Sequence, residues 1–245
     1  MITYADDTVL LYSCSNLDDL LKQINSDLTL IASWFTANNL TLNLTKTKYI
    51  HFSLRHSDLN LNLKYHSSSC IRTNQNCPCH SLESVKCIKY LGLNIDSNLK
   101  WKSHINDLAK KLRFILIKLY HLNHKVNLSF LRTLYYAWFY SLINYAVIIW
   151  GGEYRSNLQS LVSIQNRCFK LFNCYSFNSS NFRSLKLLPI RHNAYFRICL
   201  YLHRNKHLCN FKVKNYNSRS NKHFKFQTFL KISFVEIFLS GSQTF

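Results

Sequence analysis

The chain has 245 residues, 47% hydrophobic and 15% aromatic, which excludes a disordered polypeptide and leaves length for one large core or two small ones. With only 4 Gly and 2 Pro, a turn-dense all-β fold is excluded too, and helices should dominate. The net charge of +20 is unevenly spread: residues 1–99 hold eight Lys/Arg and eight Asp/Glu, so residues 100–245 carry the whole excess. A surface that basic attracts polyanions, with nucleic-acid phosphates the natural partner. Nine Cys, with no signal-peptide pattern after Met1, point to reduced thiols and an intracellular protein.

In chain order, Tyr4-Ala5-Asp6-Asp7 comes first. It lies between the short apolar runs Met1-Ile2 and Val9-Leu10-Leu11-Tyr12, and two carboxylates between β-prone runs read as a hairpin tip. Carboxylates held there are hard-oxygen ligands suited to Mg²⁺, although an isolated pair is more often an ordinary surface turn. Leu17, Leu20, Leu21, Ile24, Leu28, Ile31, Ala32 and Phe35 recur at spacings of three and four, which predicts an amphipathic helix capped by Ser15 or Asn16. Asn38-Asn39 ends it. Leu40, Leu42 and Leu44 alternate with polar residues, and Tyr49-Ile50-His51-Phe52 reads as a strand. Hairpin, helix and strand make an α+β layer.

Residues 53–86 read as a polar, irregular insertion. Cys70, Cys77, Cys79, His80 and Cys87 fit no paired-ligand spacing, so zinc is not expected. Lys89 to Asp96 returns to alternation around Gly92. A helix from near Ser103 sets Ile105, Leu108, Leu112, Ile115, Leu116 and Leu119 against Lys110, Lys111, Arg113 and Lys118. A second opens at Asn127 or Ser129 and runs through Leu142. A third starts at Ser156, and Arg191 to His207 forms another. Short links between helices predict a small bundle. The uncharged run Thr133 to Gly152 carries Ser141, Asn144 and four Tyr, and reads as a buried aromatic helix rather than a membrane span. The Asn/Ser/Lys/Phe-rich stretch Asn210 to Lys231 is expected to be poorly ordered, and the apolar tail Ile232 to Leu239 has no obvious partner.

Taken together, these residues carry a resemblance. Tyr4-Ala5-Asp6-Asp7-Thr8, the helix ending in Trp34-Phe35, Asn38-Asn39-Leu40 and Leu42-Asn43-Leu44-Thr45-Lys46-Thr47 resemble the palm of a reverse transcriptase of the non-LTR (LINE-type) retrotransposons. Lys89-Tyr90-Leu91-Gly92-Leu93, with Asp96, Leu99, Trp101 and His104, resembles that family's primer grip and the entry to its thumb. Leu134-Tyr135-Tyr136-Ala137, Tyr145, Trp150-Gly151 and Ile164-Gln165-Asn166-Arg167 continue the likeness, which spans roughly residues 1–209. It implies a partial polymerase palm over residues 1–100, an all-α thumb-like bundle over 101–209 and a basic tail over 210–245.

The resemblance also implies two-metal phosphoryl transfer, in which a primer 3′-hydroxyl attacks the α-phosphorus of a dNTP on an RNA template. Asp6 and Asp7 would hold Mg²⁺ or Mn²⁺, and Lys46 would interact with the triphosphate as an acid for pyrophosphate. Tyr4 and Ala5 would lie beside the primer terminus, Leu91 and Gly92 would shape the primer grip, and Lys110, Lys111, Arg113 and Lys118 would track the duplex backbone. The expected partners are an RNA template, a DNA primer or target and dNTP, without a membrane. The implied locations are nucleus and cytoplasm, as a retrotransposon ribonucleoprotein. The family's other metal-binding Asp belongs to a motif upstream of Tyr4, so this polypeptide alone is expected to lack polymerase activity. The alternative reading is a non-catalytic basic nucleic-acid-binding module.

Overall fold

The computed structural model describes residues 1–4, 7–14, 16–52, 61, 63–66, 79–172 and 187–205, and the backbone of 233–243. The chain divides into two compact units, one formed by Met1–Leu99 with Asn221–Phe245 and the other by Lys100–Ser220. Helix and strand are mixed, as an α+β reading requires.

The first unit is built on a sheet. Strands β1 (Ile2–Tyr4) and β2 (Asp7–Cys14) form an antiparallel hairpin whose closing pair is Tyr4 and Asp7. Helix α1 (Leu17–Ala37) follows. The Asn16 side chain accepts from the Asp18 amide at its start, and Asp18 and Asp19 face the positive end of the helix dipole. At the other end the Asn38 amide closes on the Trp34 carbonyl, and Asn39 takes φ 53°, a left-handed turn that Asn tolerates. Leu20, Ile24, Leu28, Ala32 and Phe35 form its buried stripe, each contributing about 1.5–3 kcal/mol of apolar burial apart from the small Ala.

Beyond α1 come β3 (Leu40–Leu42), β4 (Lys48–Phe52), β5 (Lys64–Tyr65), β6 (His80–Ser81), β7 (Glu83–Ser84), β8 (Cys87–Tyr90) and β9 (Leu93–Asp96). Among the described residues, one sheet runs β1-β2-β10-β4-β7, where β10 is Ser233–Gln243 and also pairs with β3. Leu10, Tyr12 and Tyr49 pack with Leu20, Ile24 and Leu28 of α1, and Leu61, Leu63 and Leu82 join them. On the opposite face Val9, Ile50 and Phe52 are covered by Val85, Ile88, Tyr90 and Ile95. The sheet is thus closed by α1 on one side and by the β8–β9 hairpin on the other.

Two departures from the sequence reading concern strands. The chain end 232–239, expected to be without a partner in a poorly ordered tail, instead contributes β10, which lies antiparallel between β2 and β4. Its run Phe234-Val235-Glu236-Ile237-Phe238-Leu239 carries a single charge, which suits an interior strand whose neighbours lie more than 180 residues away in sequence. Residues 210–232 lie outside the described residues. The irregular stretch 53–86 also contains β5, β6 and β7, with β7 parallel to β4. Two-residue strands are too short to leave a periodic signal. Cys70 and Cys77 lie outside the described residues, and among those described no group of three potential metal ligands converges.

The second unit is helical: α2 (Lys102–Asn123), α3 (Leu128–Leu134), a π-helical segment (Tyr135–Tyr140), α4 (Ser141–Asn144), α5 (Val147–Trp150), α6 (Arg155–Lys170) and α7 (Ile190–Arg204). The single helix expected through Leu142 is interrupted by the π-turn, where the Ser141 amide reaches back to the Tyr136 carbonyl. Tyr145 is then extended and Ala146 takes φ 49°. The uncharged run Thr133 to Gly152 therefore lies in several short helices, and no helix among the described residues is long and apolar enough to cross a membrane. Gly151 is required where α5 meets α7, because a Cβ there would lie 2.6 Å from the Ala194 Cβ and also collide with the Val147 carbonyl.

Two buried amides tie this unit together. Gln165 donates from Nε2 to the Tyr135 hydroxyl (3.1 Å) and the Leu188 carbonyl (3.0 Å), and its Oε1 accepts from the Ile190 amide (2.9 Å). Asn193 accepts from the Tyr140 hydroxyl (2.9 Å) and donates to Asn144 Oδ1 (3.3 Å). Burial pushes the Tyr135 phenol well above its ordinary pKa, against the opposing pull of the Gln165 hydrogen bond, so it stays a neutral hydroxyl stacked on Phe139. Replacing Gln165 by Leu keeps the volume but removes the partner of two buried polar groups, the Tyr135 hydroxyl and the Ile190 amide, and of the part-buried Leu188 carbonyl. The Gln165→Leu chain should lose about 2–4 kcal/mol in urea unfolding, and a loss under about 0.5 kcal/mol would show that the amide is not a structural tie.

Candidate active site

A cavity of about 500 Å³ in the first unit is lined by Asp7, Thr8, Thr45, Lys46, Lys48, Val85, Cys87, Ile88, Lys89 and Tyr90. Four local structures deliver these residues. The β1–β2 hairpin places Asp7 at the head of β2, exposed, paired with Tyr4. Ala5 and Asp6 lie outside the described residues, so of the expected metal ligands only Asp7 is located.

The turn after β3 places Lys46. The Asn43 carbonyl accepts from the amides of Lys46 (3.1 Å) and Thr47 (3.0 Å), and Asn43 Oδ1 accepts from the Thr45 hydroxyl (2.7 Å) and again from the Lys46 amide (3.2 Å). One Asn side chain thus organises a compact turn and directs Lys46 to the rim. Lys48, two residues on, starts β4 and pairs with Glu83 of β7 at 2.8 Å, so its charge is largely compensated. Lys46 and Lys89 are exposed, and no ion pair involves either of them among the described residues.

The β8–β9 hairpin supplies Cys87, Ile88, Lys89 and Tyr90 to the cavity and turns through Leu91 (φ 45°) and Gly92 (φ 80°), with Tyr90 and Leu93 as its closing pair. Two successive positive φ values match a type I′ turn, where Asn or Asp normally precedes Gly. A Leu in that position is strained, and its side chain is 38% exposed. Strain retained at an exposed apolar residue is the pattern expected of a contact residue.

The structure therefore brings Asp7 and Lys46 to one cavity. Tyr4 is exposed at the end of β1, and Leu91 and Gly92 form the hairpin tip next to the lining residue Tyr90; none of these three lines the cavity. Lys110, Lys111, Arg113 and Lys118 are exposed on α2, in the other unit. Sequence reasoning missed Thr8, Thr45, Lys48 and Lys89 as lining residues and Asn43 as the turn organiser. Lys89 was within reach, since it opens the Lys89-Tyr90-Leu91-Gly92 run; the contribution of Lys48 depends on register and left no local signal.

On the neighbouring strands, Asp7 faces Tyr4 of β1 and Ser240 of β10. Among the described residues Asp7 is the one carboxylate lining the cavity, beside Lys46, Lys48 and Lys89, and the ammonium groups suit an anionic ligand. A carboxylate oxygen is the donor type that Mg²⁺ and Mn²⁺ take, so Asp7 would be the located residue to hold such an ion.

The chain is 26% identical over 222 residues to a Drosophila melanogaster protein named "Probable RNA-directed DNA polymerase from transposon X-element". The match covers 84% of this chain and 22% of that protein, so the chain spans about a fifth of its relative's length. This similarity supports a distant relationship to reverse transcriptases. No protein-family model and no solved structure matches the chain.

The strained turn gives a direct check. Leu91→Asn should raise the stability of the chain by about 0.5–1 kcal/mol, because Asn accepts the left-handed conformation that Leu resists. A destabilised Leu91→Asn chain in a thermal melt would contradict the type I′ assignment.

Proposed function

We propose that the chain is the palm end, primer grip and thumb of a retrotransposon RNA-directed DNA polymerase, with its first unit as the palm part and its second as the thumb. The observation that carries this reading is the convergence of Asp7 and Lys46 with Lys89 on one cavity, in a chain similar over most of its length to a transposon polymerase. In this reading Asp6 and Asp7 hold Mg²⁺, which when bound neutralises charge on the attacking and leaving oxygens. Lys46, fixed by Asn43, binds the triphosphate and protonates the departing pyrophosphate. Lys89 adds a second cation on the cavity wall, and Leu91, exposed at the hairpin tip, packs against the primer end. Its partners are an RNA template, a DNA primer and dNTP.

The Asp6–Asp7 pair is half of a two-metal ligand set, and neither Tyr4 nor Ser240, which face Asp7 across the sheet, is a carboxylate. The chain alone is therefore proposed to be inactive, with the missing carboxylate supplied by a longer polymerase. The test is to graft this chain onto the upstream part of the Drosophila relative, replacing the region it matches, and to measure primer extension with Mg²⁺. The graft should incorporate dNTP while the isolated chain does not. Asp6→Ala or Asp7→Ala in the graft should remove more than the roughly 10–100-fold that loss of an outer metal partner costs. Incorporation indifferent to both substitutions would overturn the assignment, and Asp6-dependent incorporation by the isolated chain would overturn its inactivity.

A further inference from the structure

Helix α2 has two unlike faces. Ile105, Leu108, Ala109, Leu112 and Leu119 are buried in the second unit. The opposite face is exposed and carries Lys110, Arg113, Phe114, Ile117, Lys118, Tyr120 and His121. Phe114, Ile117 and Tyr120 are 61%, 56% and 59% exposed, at successive three-residue intervals along the helix. A single exposed aromatic needs no explanation, but two rings and an Ile on one face, interspersed with Lys110, Arg113 and Lys118, form a patch. The Lys118 ammonium lies 4.5 Å from the Phe114 ring centroid, and the Tyr120 ring stands edge-on to His121 and His124 at 6.2 and 6.5 Å. The acidic group near this face is Asp107, 3.6 Å from Lys110 in a solvent-exposed contact of little energetic weight.

Charge alone would suit any polyanion, and the rings narrow the choice. In a duplex the base faces are stacked on one another, so only phosphates and groove edges meet a protein surface. A single strand presents both phosphates and base faces, and stacking on an aromatic ring is a sequence-tolerant contribution in such sites. We infer that the exposed face of α2 binds single-stranded RNA, and not the duplex backbone that the resemblance implies for these cations, with phosphates on Lys110, Arg113 and Lys118 and bases stacked on Phe114 and Tyr120. The choice of RNA rests on the polymerase reading above; the stacking geometry does not. Charge complementarity favours this occupant, because residues 100–245 carry the whole +20 of the chain.

The experiment is fluorescence anisotropy on the full chain, without dNTP or divalent metal, so an inactive polymerase leaves the readout intact. The probes are a single-stranded RNA of about 12 nucleotides, the matching abasic oligomer and the RNA duplex. Phe114→Ala and Tyr120→Ala should each weaken single-strand binding about tenfold, with an unchanged salt slope and no effect on the abasic oligomer. Phe114→Trp should keep the affinity and Phe114→Leu lose it, which separates stacking from apolar contact. Lys118→Ala should weaken binding to RNA and abasic oligomer alike and lower the salt slope by about one. Since all of these positions are exposed, thermal melting should show the fold unchanged. Single-strand affinity indifferent to the ring substitutions, or duplex bound as tightly as the single strand, would overturn the proposal.

Discussion

The first unit depends on the hydrogen-bond ladder of one strand, β10, with its two neighbours. Strands β2 and β4 do not pair with each other; Ser233–Gln243 lies between them and bonds to both. Register follows from which faces are buried, because a shift by one residue would turn every side chain of a strand to the other side. With Leu10, Tyr12 and Tyr49 committed to α1 and Val9, Ile50 and Phe52 to the β8–β9 hairpin, the strands cannot slide. Asp7 is then held at the head of β2 opposite Ser240, and Lys46 and Lys48 are carried to the same end by the turn before β4.

That placement sets up an electrostatic contrast. The cavity mixes one located carboxylate with three lysines, of which Lys48 is compensated by Glu83. An exposed site of this kind offers a hard oxygen to a cation on one side and ammonium groups to phosphate oxygens on the other. The unit that contains it is balanced in charge through residue 99, whereas residues 100–245 carry the basic excess. In the proposed function, chemistry and nucleic-acid attraction fall to different parts of the chain, so the two can be disturbed separately.

Much of this was legible in the sequence where the signal was periodic or capped. The stripe Leu20, Ile24, Leu28 and Phe35 and the cap at Asn16 specified α1, and the alternation from Lys89 to Asp96 marked extended chain around Gly92, whose pairing as a hairpin appears only in the fold. What escaped detection was either non-local or too short. β10 reads as an orphan apolar tail until its partners, far away in the chain, are known, and β5, β6 and β7 have two residues each. The π-turn at Tyr135–Tyr140 shares its apolar spacing with an ordinary helix, so an interruption held by Gln165 and Asn193 left no mark. At the site, Lys46 was visible from its motif, but the Asn43 turn that fixes it and the approach of Lys89 required the folded chain.

Metal binding by Asp6 and Asp7, as proposed, would distinguish the β1–β2 hairpin from a solvated surface bend. Paramagnetic broadening of backbone amide signals by substoichiometric Mn²⁺ tests it at the atoms concerned, independently of turnover. Broadening should centre on Tyr4, Asp7 and Thr8, reach Lys46 across the cavity, and vanish in an Asp6→Ala/Asp7→Ala double variant. Broadening that centres elsewhere, for instance on the Asp18–Asp19 pair of α1, or that persists in the double variant, would contradict it.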